Sequence, residues 1–416
     1  MAAREFSGIR CVNQILLITI SGEDQPGVTA GLTALLAEHA VSILDIGQAV
    51  IHATLSLGLL VELPEDSESD QVAQAVQTFA LRRDLRVVTT EVAHSSYSQW
   101  VEGQGRARYI ITLLARKISS DQLARVTRVI SEHGLNIDGI HRLSGRIPLG
   151  DLPALSKACL EFSARGTLRD PAEFRRQLLE VAGALEVDLA LQQDNMYRRN
   201  RRLVAFDMDS TLVEAEVIDE LAKLAGVGEQ VSAITERAMR GEIDFSESFR
   251  TRVALLEGLE ESALQRVAEQ LKITEGAQHL ISTLRTLGYK TAILSGGFTY
   301  FARYLQARLG IDYVFANELD IVDGSVTGKI KGTIVDGARK AELLRQLADQ
   351  QDIDMQQVIA VGDGANDLPM LSIAGLGIAF RAKPLVQKSA EQSISTLGLD
   401  AILYLLGISD EHHYAG

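Results

Sequence analysis

The chain has 416 residues, of which 46% are hydrophobic and 23% charged, values typical of a globular protein with two or three domains. The net charge of −14 argues against nucleic acid or an anionic membrane as the main partner. No run of about 18 uncharged apolar residues is present, so we expect no membrane span. The first residues lack the apolar core of a signal peptide, and we expect a cytoplasmic protein whose two cysteines are free thiols.

The first half of the chain contains an internal repeat. A strand candidate, ILLITISG (15–22), precedes a helical pattern, and RYIITLLAR (108–116) precedes a similar one. Each copy continues with two more strand candidates, a second amphipathic helix and a final strand. The order βαββαβ predicts two ferredoxin-like α+β domains, at 13–94 and 107–194, with a polar linker at 94–106.

Short apolar runs separated by helical patterns characterise the second half, which we assign to 200–410. LVAF (203–206), TAIL (291–294) and VIAV (358–361) each end at a cluster of Asp, Ser or Gly. Such runs are typical of parallel strands buried on both faces, and the sequence therefore predicts a doubly wound, Rossmann-like α/β core. Ligands bind beyond the carboxyl ends of such strands. A helical stretch at about 214–287 predicts a cap over these ends.

Acidic residues follow the first and third of these strands. Asp207 and Asp209 are two residues apart, so an extended backbone directs both side chains to the same side. Two carboxylates this close need a cation between them or a proton on one of them. Asp363, Asn366 and Asp367 follow the third strand, and their oxygens suit a hard cation such as Mg²⁺. Taken alone, this last cluster fits an Asx-rich turn equally well.

A glycine pair and a lysine extend the polar set. Ser295, Gly296 and Gly297 follow the second strand, where glycines allow backbone N–H groups to approach an anion closely. Lys340 begins a helical pattern, from which its ammonium could reach a phosphate. The alternative for Lys340 is an ordinary solvated helix lysine.

The four motifs DMDST (207–211), SGG (295–297), Lys340 and GDGAND (362–367) together resemble those of the haloacid dehalogenase-like phosphatases in order and spacing. The resemblance implies that Asp207 attacks phosphorus and becomes an aspartyl phosphate, while Asp209 carries the proton. It implies that Mg²⁺ is held by Asp207, Asp363 and the main-chain carbonyl of Asp209, with Asp367 near the ion or in its second coordination sphere. The remaining phosphate contacts are implied at Ser295, Gly296, Lys340 and Asn366.

The cap sequences at 216–226 and 236–256 are similar to the phosphoserine phosphatase subfamily. This similarity implies hydrolysis of O-phospho-L-serine, the last step of serine biosynthesis. It implies four substrate contacts from the cap, namely Glu216 to the ammonium, Met239 and Phe245 in the pocket lining, and Arg252 to the carboxylate. Bidentate guanidinium geometry gives a physical reason for an arginine there. Arg250 is the alternative to Arg252, and the two apolar residues also fit a plain cap core.

The duplicated first half resembles tandem ACT domains, modules that bind amino acids and control enzymes. DQPG (24–27) resembles their ligand-binding loop, whereas the second copy has RKISSDQ (116–122), without a glycine. The resemblance implies an amino-acid effector, such as serine, at the first copy, and a purely structural or dimerising role is the alternative. Because exposed sheet edges often pair, we expect a homodimer.

Two other functions are compatible with the sequence. One is a phosphatase or phosphotransferase that acts on another small phosphorylated metabolite. The other is an amino-acid-sensing regulatory protein whose phosphatase domain is idle. The complete acidic set argues against the idle domain, and release of phosphate from phosphoserine would distinguish it from an enzyme.

Overall fold

The computed structural model describes residues 13–65, 69–147, 150, 155–239 and 242–410. The chain divides into two compact units, Met1–Gly105 and Arg106–Gly416. Among the residues described, no helix combines the length and the apolar character that crossing a membrane requires.

The first unit is a four-stranded antiparallel sheet with two helices on one face, in the strand order β2-β3-β1-β4. Its elements are β1 (Ile15–Glu23), α1 (Val28–Glu38), β2 (Ser42–Ile51), β3 (Thr54–Glu62), α2 (Ser69–Leu81), β4 (Arg86–Val92) and α3 (His94–Glu102). Alternate residues of β1, such as Ile18 and Ile20, are buried against the helices. The βαββαβ prediction is confirmed, and the stretch predicted as a linker forms α3, a helix with no buried side chain.

A second ferredoxin-like domain begins the second unit, with the strand order β6-β7-β5-β8. Its elements are β5 (Arg108–Ala115), α4 (Ser120–Glu132), β6 (Asn136–Arg142), β7 (Ala158–Arg165), α5 (Pro171–Leu185) and β8 (Asp188–Gln193). A capping box at Ser119 and Gln122 begins α4, and Asp170 caps α5, whose first residue is a proline.

A seven-stranded sheet and the helices between its strands form the rest of the second unit. The strand order is β12-β11-β10-β9-β13-β14-β15. Its elements are β9 (Leu203–Phe206), α6 (Val217–Leu224), α7 (Gly228–Met239), α8 (Phe245–Ala254), α9 (Ser262–Gln270), α10 (Ala277–Thr286), β10 (Lys290–Phe298), α11 (Thr299–Leu309), β11 (Tyr313–Val322), β12 (Ser325–Lys331), α12 (Gly337–Gln350), β13 (Val358–Gly362), α13 (Leu368–Ile373), β14 (Leu376–Phe380), α14 (Pro384–Ser389), β15 (Gln392–Ile394) and α15 (Ile402–Leu405). All pairs are parallel except β11 with β12, a hairpin that turns at Asp323-Gly324.

Strand β9 lies at the centre of this sheet, between β10 and β13. Its last residue, Phe206, is in register with Ile293 and Val361, so the chain leaves all three strands at one edge. Alternate residues of β9 are buried in hydrophobic clusters on opposite faces, because helices cover both sides. The predicted doubly wound core is confirmed, and it places the residue after β9 in the middle of the edge where ligands bind.

The second ferredoxin-like domain packs directly on the α/β domain, through polar contacts at β8 and β15. Asp188 accepts hydrogen bonds from the backbone N–H groups of Ser395 and Thr396, both at 2.8 Å. The amide of Gln392 bonds the backbone N–H and C=O of Leu191. These bonds join side chains of each domain to backbone groups of the other.

A buried ion pair lies next to this contact. The guanidinium of Arg198, just before β9, donates to the carboxylate of Glu161 on β7, and the Arg198 side chain has no exposed area. Removing one member of such a pair leaves the other charge buried and uncompensated.

We predict that Arg198→Met lowers the free energy of unfolding by about 3–5 kcal/mol, because Glu161 loses its counter-charge. Urea denaturation measures the change. Lys223→Met is the matched control, since the Lys223–Glu220 pair is on the surface of α6, and its midpoint should equal that of the unaltered protein. If Arg198→Met left the midpoint unchanged, the pair would not support the domain contact.

Candidate active site

Asp207 is the first residue after β9, and its side chain is buried at the carboxyl edge of the sheet. Its backbone N–H donates to the carbonyl of Val361 on β13 at 2.8 Å, which extends the parallel pairing by one residue. The carboxylate therefore has a fixed position at the centre of the predicted site.

Lys340 lies fully buried in the first turn of α12, a helix capped by the side chain of Asp336. Its ammonium lies between two carboxylates, 2.7 Å from Oδ1 of Asp207 and 2.6 Å from Oδ1 of Asp367. Burial opposes the charge, but the two carboxylates raise the pKa of Lys340 above its usual value. Burial and the nearby Asp367 raise the pKa of Asp207, while Lys340 lowers it.

Asp209 is in the turn that follows, where Ser210 adopts a left-handed φ of 55°. Burial raises the pKa of Asp209 to about 8, and the negative charge of Glu216 adds to the rise, against a hydrogen bond from the backbone N–H of Val217. The carboxyl group of Asp209 can therefore hold a proton near neutral pH, as a general acid must.

Asp363 follows β13 and lies beside these acids. Burial raises its pKa to about 7, with a further contribution from Asp367, and the hydroxyl of Thr211 donates to its Oδ1 at 3.3 Å. One carboxylate oxygen each from Asp207, Asp363 and Asp367 lie within 4.8 Å of one another. A group of three carboxylates with one lysine has an excess of negative charge, and a divalent cation would compensate it.

The glycine-containing end of β10 approaches these acids closely. A Cβ on Gly297 would lie 2.4 Å from Oδ2 of Asp209, so a larger residue there would displace the Asp209 carboxyl group. The hydroxyl of Ser295, which is buried, accepts a hydrogen bond from the backbone N–H of Gly297 at 2.9 Å. This segment forms one wall of the space beside Asp207.

The cap residues predicted from the sequence are distributed over α6 to α8. Glu216 is exposed at the N-terminal cap position of α6 and accepts a hydrogen bond from the hydroxyl of Ser210 at 3.0 Å. Phe245 begins α8, and its ring lies so near Gly296 that a Cβ there would be 2.9 Å away. Cap and core therefore meet where the predicted substrate contacts lie. Met239 ends α7, and its side chain lies outside the described residues.

Arg252 is on α8, and most of its side chain is covered. Burial lowers the pKa of its guanidinium, although Glu216, Asp219 and Asp209 raise it. Its Nη1 makes a long contact of 3.5 Å with the hydroxyl of Thr235, and its buried Nε has no partner among the described residues. An unpaired buried donor of this kind is costly, and a ligand carboxylate would satisfy it.

Asn366 and Asp367 occupy the turn after β13. Oδ1 of Asn366 lies only 2.2 Å from the position of a Cβ on Gly364, so a larger residue at 364 would displace the Asn366 side chain. Asp367 accepts the backbone N–H of Gly364 at 2.9 Å through the oxygen that does not contact Lys340.

Two residues of the site were not singled out from the sequence. Thr211 contacts Asp363, and Asn317 on β11 is buried, where its side chain donates to the carbonyl of Gly296 at 2.8 Å and accepts the N–H of Val335 at 2.8 Å. Asn317 thereby joins the end of β10 to the segment before Lys340. A polar residue inside an apolar strand was the only sequence signal for it.

Comparison with known proteins agrees with this geometry. Residues 201–375 match the family of haloacid dehalogenase-like hydrolases, and residues 14–90 match the ACT domain. A phosphoserine phosphatase of Streptomyces coelicolor is 40% identical over 95% of this chain and 93% of its own length. Phosphoserine phosphatase SerB2 of Mycobacterium tuberculosis is 41% identical, with 95% and 93% covered.

Solved structures give the same assignment. A probable phosphoserine phosphatase from Vibrio cholerae, in an unliganded form, superposes with a TM-score of 0.58 at 36% identity, over 73% of this chain and 87% of that one. A hydrolase of the same superfamily from Salmonella enterica serovar Typhi has a TM-score of 0.62 at 32% identity, over 71% and 98%.

The raised pKa of Asp363 predicts how stability depends on pH in metal-free buffer. The folded protein keeps the Asp363 proton up to about pH 7, whereas the unfolded chain releases it near the usual value of 3.8. The free energy of unfolding should therefore fall as the pH rises through this window. Urea unfolding in EDTA at about pH 4 and about pH 7 measures the fall.

Asp363→Asn should make that fall smaller, because the amide does not titrate. Asp349→Asn, on the exposed part of α12, is the control and should leave the fall unchanged. An equal fall in all three proteins would show that Asp363 has an ordinary pKa.

Proposed function

Because the chain belongs to the phosphoserine phosphatases, a branch of the haloacid dehalogenase-like hydrolases, we propose that it hydrolyses O-phospho-L-serine to L-serine and phosphate through an aspartyl phosphate. The observation that carries the mechanism is the pairing of Asp207 with a buried ammonium, beside a second carboxyl group that keeps its proton near neutral pH. The reaction would complete serine biosynthesis.

In the first step, a carboxylate oxygen of Asp207 attacks phosphorus and the bond between phosphorus and the serine oxygen breaks. Asp209 gives its proton to the departing serine oxygen, a role that its raised pKa supports. Ser295, Lys340, Asn366 and the backbone N–H groups near Gly296 hold the phosphate oxygens while charge shifts among them.

In the second step, Asp209 has become a carboxylate and takes a proton from water. The water oxygen attacks phosphorus, the bond to Asp207 breaks, and inorganic phosphate leaves. Both protonation states of Asp209 are used once per turnover. A pKa of about 8 makes both accessible near neutral pH.

The donor set fits Mg²⁺. Oδ2 of Asp207 and Oδ2 of Asp363 have no hydrogen-bond partner among the described residues, whereas both oxygens of Asp367 are engaged by Lys340 and Gly364. Asp207, Asp363 and the main-chain carbonyl of Asp209 would hold the ion. Asp367 would lie close to it, with its oxygens bonded to Lys340 and Gly364. A bound Mg²⁺ offsets the repulsion between the nucleophile and a phosphate anion.

Substrate selection comes from the cap. The buried Nε of Arg252 has no hydrogen-bond partner among the described residues. A substrate carboxylate could accept hydrogen bonds from this guanidinium in bidentate geometry. Glu216, held by Ser210, supplies a negative charge for the ammonium. Phe245 contacts the glycine segment, and Met239 would line the same pocket. Closure of the cap over bound substrate would exclude bulk water until serine leaves.

The domain bounds, the effector, the location and the oligomeric state are also part of the proposal. The domains are 13–94, 107–194 and 200–410, and the helical cap lies within about 214–287. The first ACT domain takes an amino-acid effector such as serine, and the protein is a cytoplasmic homodimer. Among the described residues, the apolar side chains of Ile43, Ile46 and Ile51 on the edge strand β2 are exposed, which supports pairing of that edge.

The decisive measurement is release of inorganic phosphate from phosphoserine by the full-length protein, with Mg²⁺ and with EDTA. We predict turnover with Mg²⁺ and almost none with EDTA. Asp207→Asn should reduce turnover by at least about 10³-fold while circular dichroism stays unchanged, because the nucleophile is lost. Release of phosphate from other phosphorylated metabolites, but not from phosphoserine, would contradict the proposed substrate. No release of phosphate from any of them would favour a regulatory protein.

We predict that Arg252→Ala lowers kcat/KM for phosphoserine by about 30-fold or more, since a buried charge contact to the carboxylate is lost. p-Nitrophenyl phosphate has no carboxylate and should be affected much less. Arg250→Ala is the matched control on the same helix, where the side chain is exposed, and it should change neither substrate. Equal losses on both substrates would mean that Arg252 is structural.

A further inference from the structure

The cap joins the core through two short segments that pair with each other. Val213 forms an antiparallel bridge with Ile273, the N–H of Glu214 donates to Lys272, and the N–H of Thr274 donates to the carbonyl of Leu212. Helices α6 to α9 lie between these segments. Both chain connections between the cap and the sheet run through this pair of segments, here called the hinge (212–216 and 271–276). The cap is also attached at residues 258–261, whose backbone forms hydrogen bonds with residues 324–326 of the β11–β12 hairpin. A movement of the cap relative to the sheet therefore bends the hinge.

Glu275, in the second hinge segment, is held by an arginine from the second ferredoxin-like domain. Nη1 and Nη2 of Arg116 donate to Oε1 and Oε2 of Glu275, both at 2.8 Å, in parallel bidentate geometry. Arg381, after β14, donates to the same carboxylate at 3.0 Å. Arg381 also lies 3.8 Å from Glu214, on the other hinge segment. Two arginines from outside the cap, Arg116 and Arg381, thus contact its attachment.

The backbone at Glu275 and Gly276 also packs against Asp400, which forms an ion pair with a lysine of the second ferredoxin-like domain. The carbonyl of Glu275 accepts the N–H of Leu399, and a Cβ on Gly276 would lie 2.3 Å from the carboxylate of Asp400. Lys157, just before β7, pairs with that carboxylate at 2.6 Å. The hinge therefore has little freedom on the side that faces the second ferredoxin-like domain.

Arg116 is itself fixed in place. It follows β5, and the hydroxyl of Ser156 donates to its carbonyl at 2.9 Å, while its Nη1 is 3.4 Å from the carbonyl of Ser156. The Arg116 and Glu275 side chains are 29% and 19% exposed, so water competes only partly for this pair. A bidentate pair of this kind restricts orientation as well as distance.

We propose that Arg116 is a positioning residue for the phosphatase reaction, because its bidentate contact with Glu275 holds the hinge in the orientation from which the cap closes on substrate. The proposal rests on the proposed function. In this proposal the second ACT-like domain braces the cap. The residues that do so lie in the loop 116–122, which corresponds in position to the glycine-containing loop 24–27 of the first copy.

The test is Arg116→Gln in the full-length protein, measured in two ways. Hydrogen exchange should accelerate by about 5- to 10-fold at the hinge amides of Glu214 and Thr274, while amides of β9 and β13 keep their rates. KM for phosphoserine should rise by a similar factor, with a smaller change in kcat and little change for p-nitrophenyl phosphate, which does not need the cap contacts.

Two further variants define the outcome. Arg116→Lys keeps the positive charge but loses the planar guanidinium that makes the bidentate contact. Its hinge exchange rates should lie between those of the unaltered protein and those of Arg116→Gln. Arg125→Gln removes an exposed pair with Asp121 on α4 of the same domain, and both readouts should match the unaltered protein. Hinge exchange unchanged in Arg116→Gln, or raised equally throughout the sheet, would overturn the proposal. Hydrogen exchange is measured without turnover. Absence of phosphoserine hydrolysis would therefore refute the proposed function, while the exchange rates at the hinge would still test the role of Arg116.

Discussion

The buried ammonium of Lys340 is the interaction on which the site depends. It lies in hydrogen-bonding contact with Asp207 and Asp367, and none of the three side chains is more than slightly exposed. Without a cation, burial would force these acids to take up protons, and Asp207 could not act as a nucleophile. One lysine compensates only part of the charge. Burial raises the pKa values of Asp209 and Asp363, and neighbouring negative charges, from Glu216 and Asp367 respectively, add to the rise. The uncompensated negative charge of Asp207, Asp363 and Asp367 also makes this group suitable for a divalent ion.

The sheet supplies the geometry that this charge arrangement requires. Because β9, β10 and β13 are parallel and in register, three stretches far apart in sequence end at one edge. Lys340 then reaches Asp207 from the first turn of α12, whose start is fixed by the Asp336 cap. Asn317 ties the β10 end to the backbone at Val335, just before that helix. The catalytic groups are therefore held by the register of the strands and by hydrogen bonds from the buried or capping side chains of Asn317 and Asp336 to the backbone.

Elements with a local signature could be predicted from the sequence. The βαββαβ order followed from hydrophobic periodicity, and the parallel core followed from apolar runs that end at polar clusters. The bonds that join distant segments have no such signature. Arg116 and Glu275 are 159 positions apart, and nothing in either neighbourhood indicates the other. Lys340 was expected to reach a phosphate, but its contact with Asp367 follows only from the turn after β13. The helix at 94–102 was missed because its polar residues bury nothing.

The two ferredoxin-like domains have the same strand order but different loops after the first strand, and this difference gives them different physical capabilities. In the first copy, Gly27 adopts a left-handed φ of 89° at the start of α1, and a Cβ there would meet nothing within 4 Å. In the second copy, Ser119 and Gln122 close the helix start with a capping box, and Arg116 is engaged with Glu275. An open loop with free backbone donors can accept a small ligand, whereas a capped loop with a committed arginine cannot do so without breaking existing bonds. The proposed effector site therefore falls on the loop of the first copy, whereas the corresponding loop of the second copy is already engaged with Glu275.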